Sequence, residues 1–231
     1  MNLIQKVKDF FNRGRYNMET SNLNSILEHP KVAVTQSEFN RIQLNLAYYQ
    51  SKFDDVEYTN TDGDRKRRKM QHLPIARTAA KKIASLVYNE QAEITAEDET
   101  LNNFLDNMLG NDRFNKNFER YLESCLALGG LAMRPYVDDD KIKISFVQAP
   151  VFYPLQSNTQ DVSSAAIINK SQKTVGKEMV YYTLIELHEW TKDGKYTITN
   201  ELYRSNGKER VGDRVPLSEV YEDLEEEVTL D

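Results

Sequence analysis

The side chains able to do chemistry are few and scattered. His29, His72 and His188 lie far apart, and none falls in an HxxxH or HExxH spacing that would set two rings on one helical face for a metal. Asp138, Asp139 and Asp140 are consecutive, but a calcium loop spreads its oxygen ligands over about 12 residues around a central glycine and ends on a glutamate. Here Lys141 and Ile142 follow at once, so a solvated turn is expected. Cys125, the single cysteine, can form no intramolecular disulfide and has no Cys or His companions at zinc spacing. It shares a helical face with Phe118, Tyr121 and Leu122, an apolar setting in which a thiol is inert, and a lone thiol suits a reducing cytoplasm.

Glycine-based signatures are missing as well. The chain has no GxSxG, GxxxxGK[ST] or GxGxxG. Gly129-Gly130 follows an expected helix and precedes an expected strand, the reverse of a phosphate loop, and reads as a helix stop. Carboxylates are plentiful, yet sequence cannot separate a catalytic pair from ordinary surface acids. The expectation is a protein without enzymatic activity, cofactor or metal. A metal-assisted hydrolase or nuclease would need carboxylates gathered around an ion.

One cluster stands out. Arg65, Lys66, Arg67, Arg68 and Lys69 are five consecutive cations within a strongly polar stretch, residues 54–71. They could grip DNA phosphates or an acidic neighbour at short range. Equally, they could be a solvated loop balanced by Asp54, Asp55, Asp62 and Asp64. The acidic run from Glu222 to Glu227 is a candidate counterpart, within one subunit or between two.

Composition narrows the partners. The chain has 231 residues, 39% hydrophobic, with 36 acidic against 30 basic side chains and a formal net charge of −6. Coating nucleic acid needs a concentrated excess of Lys and Arg, so any DNA contact must be local. The first residues lack the apolar run and cleavage site of a signal peptide, and no window of about 18 apolar residues occurs, so neither secretion by that route nor a membrane span is expected.

The elements that must carry these residues change character along the chain. Leu3, Ile4, Val7, Phe10 and Phe11 share a helical face, with Gly14 as a stop; packing on the protein's own body is favoured over membrane docking. Thr35 with Glu38 is a capping box for a helix to about Gln50. Residues 54–71 read as an exposed loop, and Pro74 opens a helix through Val87 whose small residues suggest a central position. Asp98 caps a helix ended by Gly110, and a further helix from Phe114 stops at Gly129.

Beyond the glycines the period falls from 3.6 to 2. Residues 131–137 and 141–147 form a hairpin, strands follow at 164–169, 180–190 and 195–205 with turns at Asp193-Gly194 and Asn206-Gly207, and Pro216 to Tyr221 reads as a last helix. The fold class is therefore α+β: a helical half, residues 1–130, packed on a mixed or antiparallel β region, residues 131–231.

Several segments together resemble the portal proteins of tailed phages infecting Gram-positive bacteria, often called minor capsid proteins. They are ARTAAKKIASLVYNEQAEIT (76–95), FERYLESCLALGGLAMRPYV (118–137) and IKISFVQAPVFYPL (142–155), followed by YTLIELHEW, ITNELYRS and VPLSEVYEDL in the same order. The resemblance covers most of residues 35–230 and carries no catalytic residues. It implies a virion protein assembled in the host bacterial cytoplasm as a closed ring of about twelve subunits at one capsid vertex. It implies contacts with the packaging motor (terminase), capsid proteins and head-tail adaptors, and double-stranded DNA passing through unread. The portion present resembles the wing, and the resemblance implies that stem, clip and crown lie mainly beyond Asp231. The alternative reading is a DNA-binding accessory module acting through residues 65–69.

Overall fold

The computed structural model describes residues 14–89, 93–111, 113–139, 141–157 and 161–230. The expected amphipathic face of Leu3 to Phe11 lies outside these residues. The chain divides into two compact units: residues 37–150 form one, and residues up to 36 together with 151 onward form the other. The architecture is mixed α+β, as expected.

The second unit is built on an antiparallel sheet in the order β1-β10-β9-β8-β7-β6: β1 (Asn22–Leu23), β10 (Gly212–Val215), β9 (Tyr196–Ser205), β8 (Glu178–Trp190), β7 (Val162–Val175) and β6 (Phe152–Ser157). A further strand, β11 (Glu227–Leu230), pairs with the first part of β9. The hairpin expected at Asp193-Gly194 is present, joining β8 to β9. Strand β7 runs past the expected end at Asn169 to Val175 and turns at Gly176 into β8. Its polar stretch Lys170 to Thr174 is exposed, so it shows no apolar alternation, and its pairing rests on the backbone ladder with a side-chain contact, Thr174 to Met179.

Both faces of this sheet are covered, which explains why β8 is buried almost continuously from Val180 to His188. On one face Val180, Tyr182, Leu184 and Leu202 pack with Leu217, against Val215, Val220, Tyr221 and Leu224. Pro216 to Tyr221 is thus a single 3-10 turn, Leu217–Glu219, rather than the expected helix. Extended backbone at Pro216 and the demands of Leu217 and Leu224 for the same core hold the segment open, and its acidic continuation ends in β11 instead of a helix.

The opposite face carries Glu201 and Tyr203, two residues apart on β9 and therefore on one side. The N-terminal segment covers them. It contains a helical turn at residues 14–19 (α1), so Gly14 does not end a helix, then β1 and a 3-10 turn, Ile26–Glu28.

The Glu201 side chain is fully buried. Its Oε1 accepts from the Tyr16 hydroxyl at 2.7 Å, and Oε2 accepts from the Tyr203 hydroxyl at 2.7 Å. His29 Nε2 lies 3.3 Å from Oε2, while the Lys31 backbone N–H donates to His29 Nδ1, which puts the ring proton on Nε2, facing the carboxylate. Arg214 adds a guanidinium at 3.5 Å from Oε1 and also donates to the Thr20 hydroxyl. Burial pushes the Glu201 carboxyl upward, but the hydrogen bonds from His29, Tyr203 and Tyr16 and the Arg214 charge outweigh it and hold the group down at about 2. The same burial, with the adjacent carboxylate, raises the Tyr16 and Tyr203 hydroxyls well above their ordinary value.

In the unit of residues 37–150, α2 (Gln36–Tyr49) starts where the Thr35 capping box places it. Helices α3 (Ile75–Val87), α4 (Glu99–Asn111) and α5 (Phe114–Leu128) follow. Asp98 accepts from the Leu101 N–H at 2.8 Å as the N-cap of α4, and Gly129, at φ +86°, ends α5 as expected. Strands β4 (Leu131–Asp138) and β5 (Lys141–Gln148) form the expected hairpin. Phe146 of β5 packs on Phe114, Phe118 and Tyr121 of α5, with ring centroids 4.8 Å apart for the stacked Tyr121 pair.

Helix α3 is not central. Only the stripe Ala80, Ala84 and Tyr88 is buried, against α5, where the small side chains allow close approach. Ile75, Ile83, Leu86 and Val87 are exposed on another side.

Two substitutions test this architecture. Gly212 has φ +101°, and a Cβ there would meet the Arg204 carbonyl oxygen at 2.0 Å. Gly212→Ala is expected to cost about 2–4 kcal/mol in urea unfolding, because the backbone of β10 must move off β9. Glu201→Gln tests the buried carboxylate. With its folded value lowered from 4.5 to about 2, the stabilisation from ionised Glu201 is complete above pH 4.5 and is lost as pH falls toward 2. The variant is expected to be less stable at neutral pH, and its deficit against wild type should shrink on acidification; an equal deficit at every pH in that window would refute the assignment.

Candidate functional site

The five consecutive cations sit on ordered backbone. Residues 54–71, expected as a loop, contain a two-stranded antiparallel hairpin of β2 (Val56–Thr59) and β3 (Arg65–Arg68). The sequence signal for the hairpin is Val56-Glu57-Tyr58-Thr59, which alternates and is followed by a turn. Asn60 organises that turn: its Oδ1 accepts from the N–H groups of Asp62 and Asp64 at 3.1 and 2.8 Å, and Gly63 takes φ +87°. The expected exposure is observed, since every residue from Thr61 to Met70 is exposed.

Register decides which charges meet. Glu57 opposes Arg67 and Thr59 opposes Arg65 on one face, while Val56 opposes Arg68 and Tyr58 opposes Lys66 on the other. Arg67 pairs with Asp55 at 3.0 Å, and Lys66 lies 3.9 Å from Asp64. Arg68 stands over the Tyr58 ring, 5.6 Å from its centroid. Arg65, Arg68 and Lys69 have no carboxylate partner among the described residues. From Asp54 to Lys69 the hairpin and its flanks carry five carboxylates and five cations. It is therefore a charge-separated element, acidic through Asp64 and basic from Arg65, with no net charge.

Such a hairpin cannot act as a general phosphate clamp without bringing its own carboxylates close to the phosphates. It can hold a patch of opposite sign, with the bases on one strand and their orientation set by the ladder.

The other candidate residues are held apart. His29 is a buried partner of Glu201, His72 packs against Phe53 with ring centroids 4.0 Å apart, and His188 is buried with Nδ1 2.9 Å from the Tyr196 hydroxyl. Among the described residues no group of three or more His, Cys, Asp or Glu side chains could hold a metal, and no helix is long and apolar enough to cross a membrane. Cys125 is a free, partly buried thiol on α5. Asp138 ends β4 opposite Lys141 and pairs with Lys143 at 2.5 Å, and Asp139 follows it in the turn at φ +49°; Asp140 lies outside the described residues.

The Glu201 cluster is the assembly of titratable side chains that sequence reasoning missed. Tyr16 and Glu201 are 185 residues apart, and Thr20 and Arg214 are 194, so only a glutamate at an inward position of a strand hinted at it. The Glu201 and His29 side chains are closed to solvent, which suits a fixed structural anchor and leaves a substrate no approach to the carboxylate. An open groove of about 870 Å³ between residues 93–95, α4 and α5 is lined by mixed charges, including Asp106, Arg113, Lys116 and Glu119. It has no histidine or cysteine in its lining.

The chemistry-bearing side chains are thus held apart among the described residues, and the exposed hairpin is patterned in charge. A family model described as phage portal protein, SPP1 Gp6-like, matches residues 28–230, a span that takes in the whole hairpin, α2 to α5 and both sides of the β9–β10 pairing. No curated protein matches the chain. A match of that length leaves one assignment: the chain belongs to the SPP1 Gp6-like family of phage portal proteins, structural components of tailed bacteriophages.

Proposed function

We propose that this chain is the wing portion of a portal subunit, taking part in the closed ring that forms the channel for DNA packaging and ejection at one capsid vertex. The family match over residues 28–230 carries the reading. In sequence order, residues 1–130 supply its helices α2 to α5, and residues 131–231 supply most of its strands. Its partners are copies of itself, the packaging motor, capsid proteins and head-tail adaptors, and it is built in the host cytoplasm into the virion. The role is mechanical and non-enzymatic.

Two physical features support this. The exposed apolar side chains of α3, Ile75, Ile83, Leu86 and Val87, suit a protein that buries further surface on assembly. The neutral hairpin and the net charge of −6 suit a wall that surrounds DNA without gripping it along its whole surface.

Electron microscopy of the full-length protein is expected to show rings with a central hole; a protein that stays monomeric at all concentrations would remove the reading. A gel-shift titration is expected to show weak or no duplex binding at low salt. Strong binding that falls steeply with added salt would favour an accessory DNA-binding module instead.

A further inference from the structure

The hairpin leaves three cations unanswered, and elsewhere the protein carries carboxylates in the same condition. After Leu224 the chain presents Glu225, Glu226 and Glu227, preceded by Glu222 and Asp223, all five exposed. None of the five is in an ion pair with a described residue. Their backbone is nevertheless fixed. Leu224 packs against the core cluster, the Asn200 side chain donates to the Glu225 carbonyl at 2.8 Å, and the Asn200 N–H donates to the Glu226 carbonyl at 2.8 Å. Glu227 then begins β11 on β9. The acidic run is thus held by the core and by backbone hydrogen bonds, as β3 is held by its ladder with β2.

Patches of opposite sign whose backbone is already hydrogen-bonded attract a complement at a smaller entropy cost than loops that order on contact. Identical patches would serve a two-fold contact, whereas two different patches on one chain serve a head-to-tail contact, the type that closes into a ring. Duplex DNA fits less well. Asp55, Glu57, Asp62 and Asp64 share the hairpin with the cations, and Arg67 and Lys66 are already partly neutralised by them.

We propose that the β2–β3 hairpin docks on the acidic segment Glu222 to Glu227 of a second copy of this chain, with Arg65, Arg68 and Lys69 supplying the attraction. The proposal rests on the ring-forming reading above and names the surfaces that join neighbours. Contacts of this kind set partner choice and association rate more than total affinity. Apolar surface elsewhere must supply the bulk of the binding.

Charge reversal with rescue tests it in the full-length protein. One variant carries Arg65→Glu, Arg68→Glu and Lys69→Glu; a second carries Glu222→Lys, Glu225→Lys and Glu226→Lys; a third combines both sets. Ring formation is followed by mass photometry against protein concentration at low and high salt, with circular dichroism as the folding control. Each single set is expected to raise the concentration needed for rings by about tenfold at low salt. The combined variant should return most of the way to wild type, and the differences should shrink at high salt.

If a reversed variant fails to fold, the Gln set at Arg65, Arg68 and Lys69 replaces it, with a smaller loss expected in the same direction. Single sets that assemble like wild type, or a combined variant no better than either, overturn the proposal while wild-type rings keep the portal reading intact. Normal assembly with reduced duplex binding by the hairpin variant would make this a DNA face and overturn the proposal as well. A wild-type protein that forms no ring overturns the portal reading, and this inference falls with it.

Discussion

A carboxylate closed off from water must be given hydrogen bonds, and the fold of the larger β unit is organised around that need at Glu201. Two hydroxyls, one imidazole and one guanidinium converge on it, and they come from β9 itself, from β10 and from the N-terminal segment. Removing any partner leaves a buried charge partly unsatisfied, a costly state in a low dielectric. The N-terminal segment therefore has one register on the sheet. Leu23 against Gly212 and Asn22 against Asp213 extend the same alignment along β1 and β10, where only a residue without a Cβ permits the approach to β9.

The opposite face of the sheet solves the same covering problem with apolar side chains. Leu217, Val220, Tyr221 and Leu224 lie over Tyr182, Leu184 and Leu202, so the segment after β10 is pulled flat instead of coiling. This has a consequence for the surface: every side chain between these anchors that does not face the core faces solvent, and most of those are carboxylates. The acidic patch is thus produced by the packing requirement of its neighbours.

In the unit of residues 37–150 the core is the aromatic contact of α5 with β5, and α3 joins it through alanines. Close approach through small residues leaves the larger apolar side chains of α3 pointing away, which is unfavourable for an isolated soluble domain and reasonable for a subunit. The hairpin β2–β3 adds a second surface of a different kind, separated in charge along its length and aligned by its ladder.

The elements were legible where local physics dominates. The Thr35 and Asp98 caps, the Gly129 stop, the hairpin after it and the turn at Asp193-Gly194 were readable because each depends on residues a few positions apart. Family membership was legible in the same sense, as an ordered series of segments. The basic cluster was visible, but its strand was not, since Arg and Lys carry no apolar alternation and the ladder that orders them is made by backbone groups. The sequence by itself thus determined the α+β class, most helix ends and the sign of each charged patch. Tertiary structure alone decided which glutamate is buried, which face of α3 is covered and that the last acidic stretch is extended, because each depends on partners brought together from distant parts of the chain.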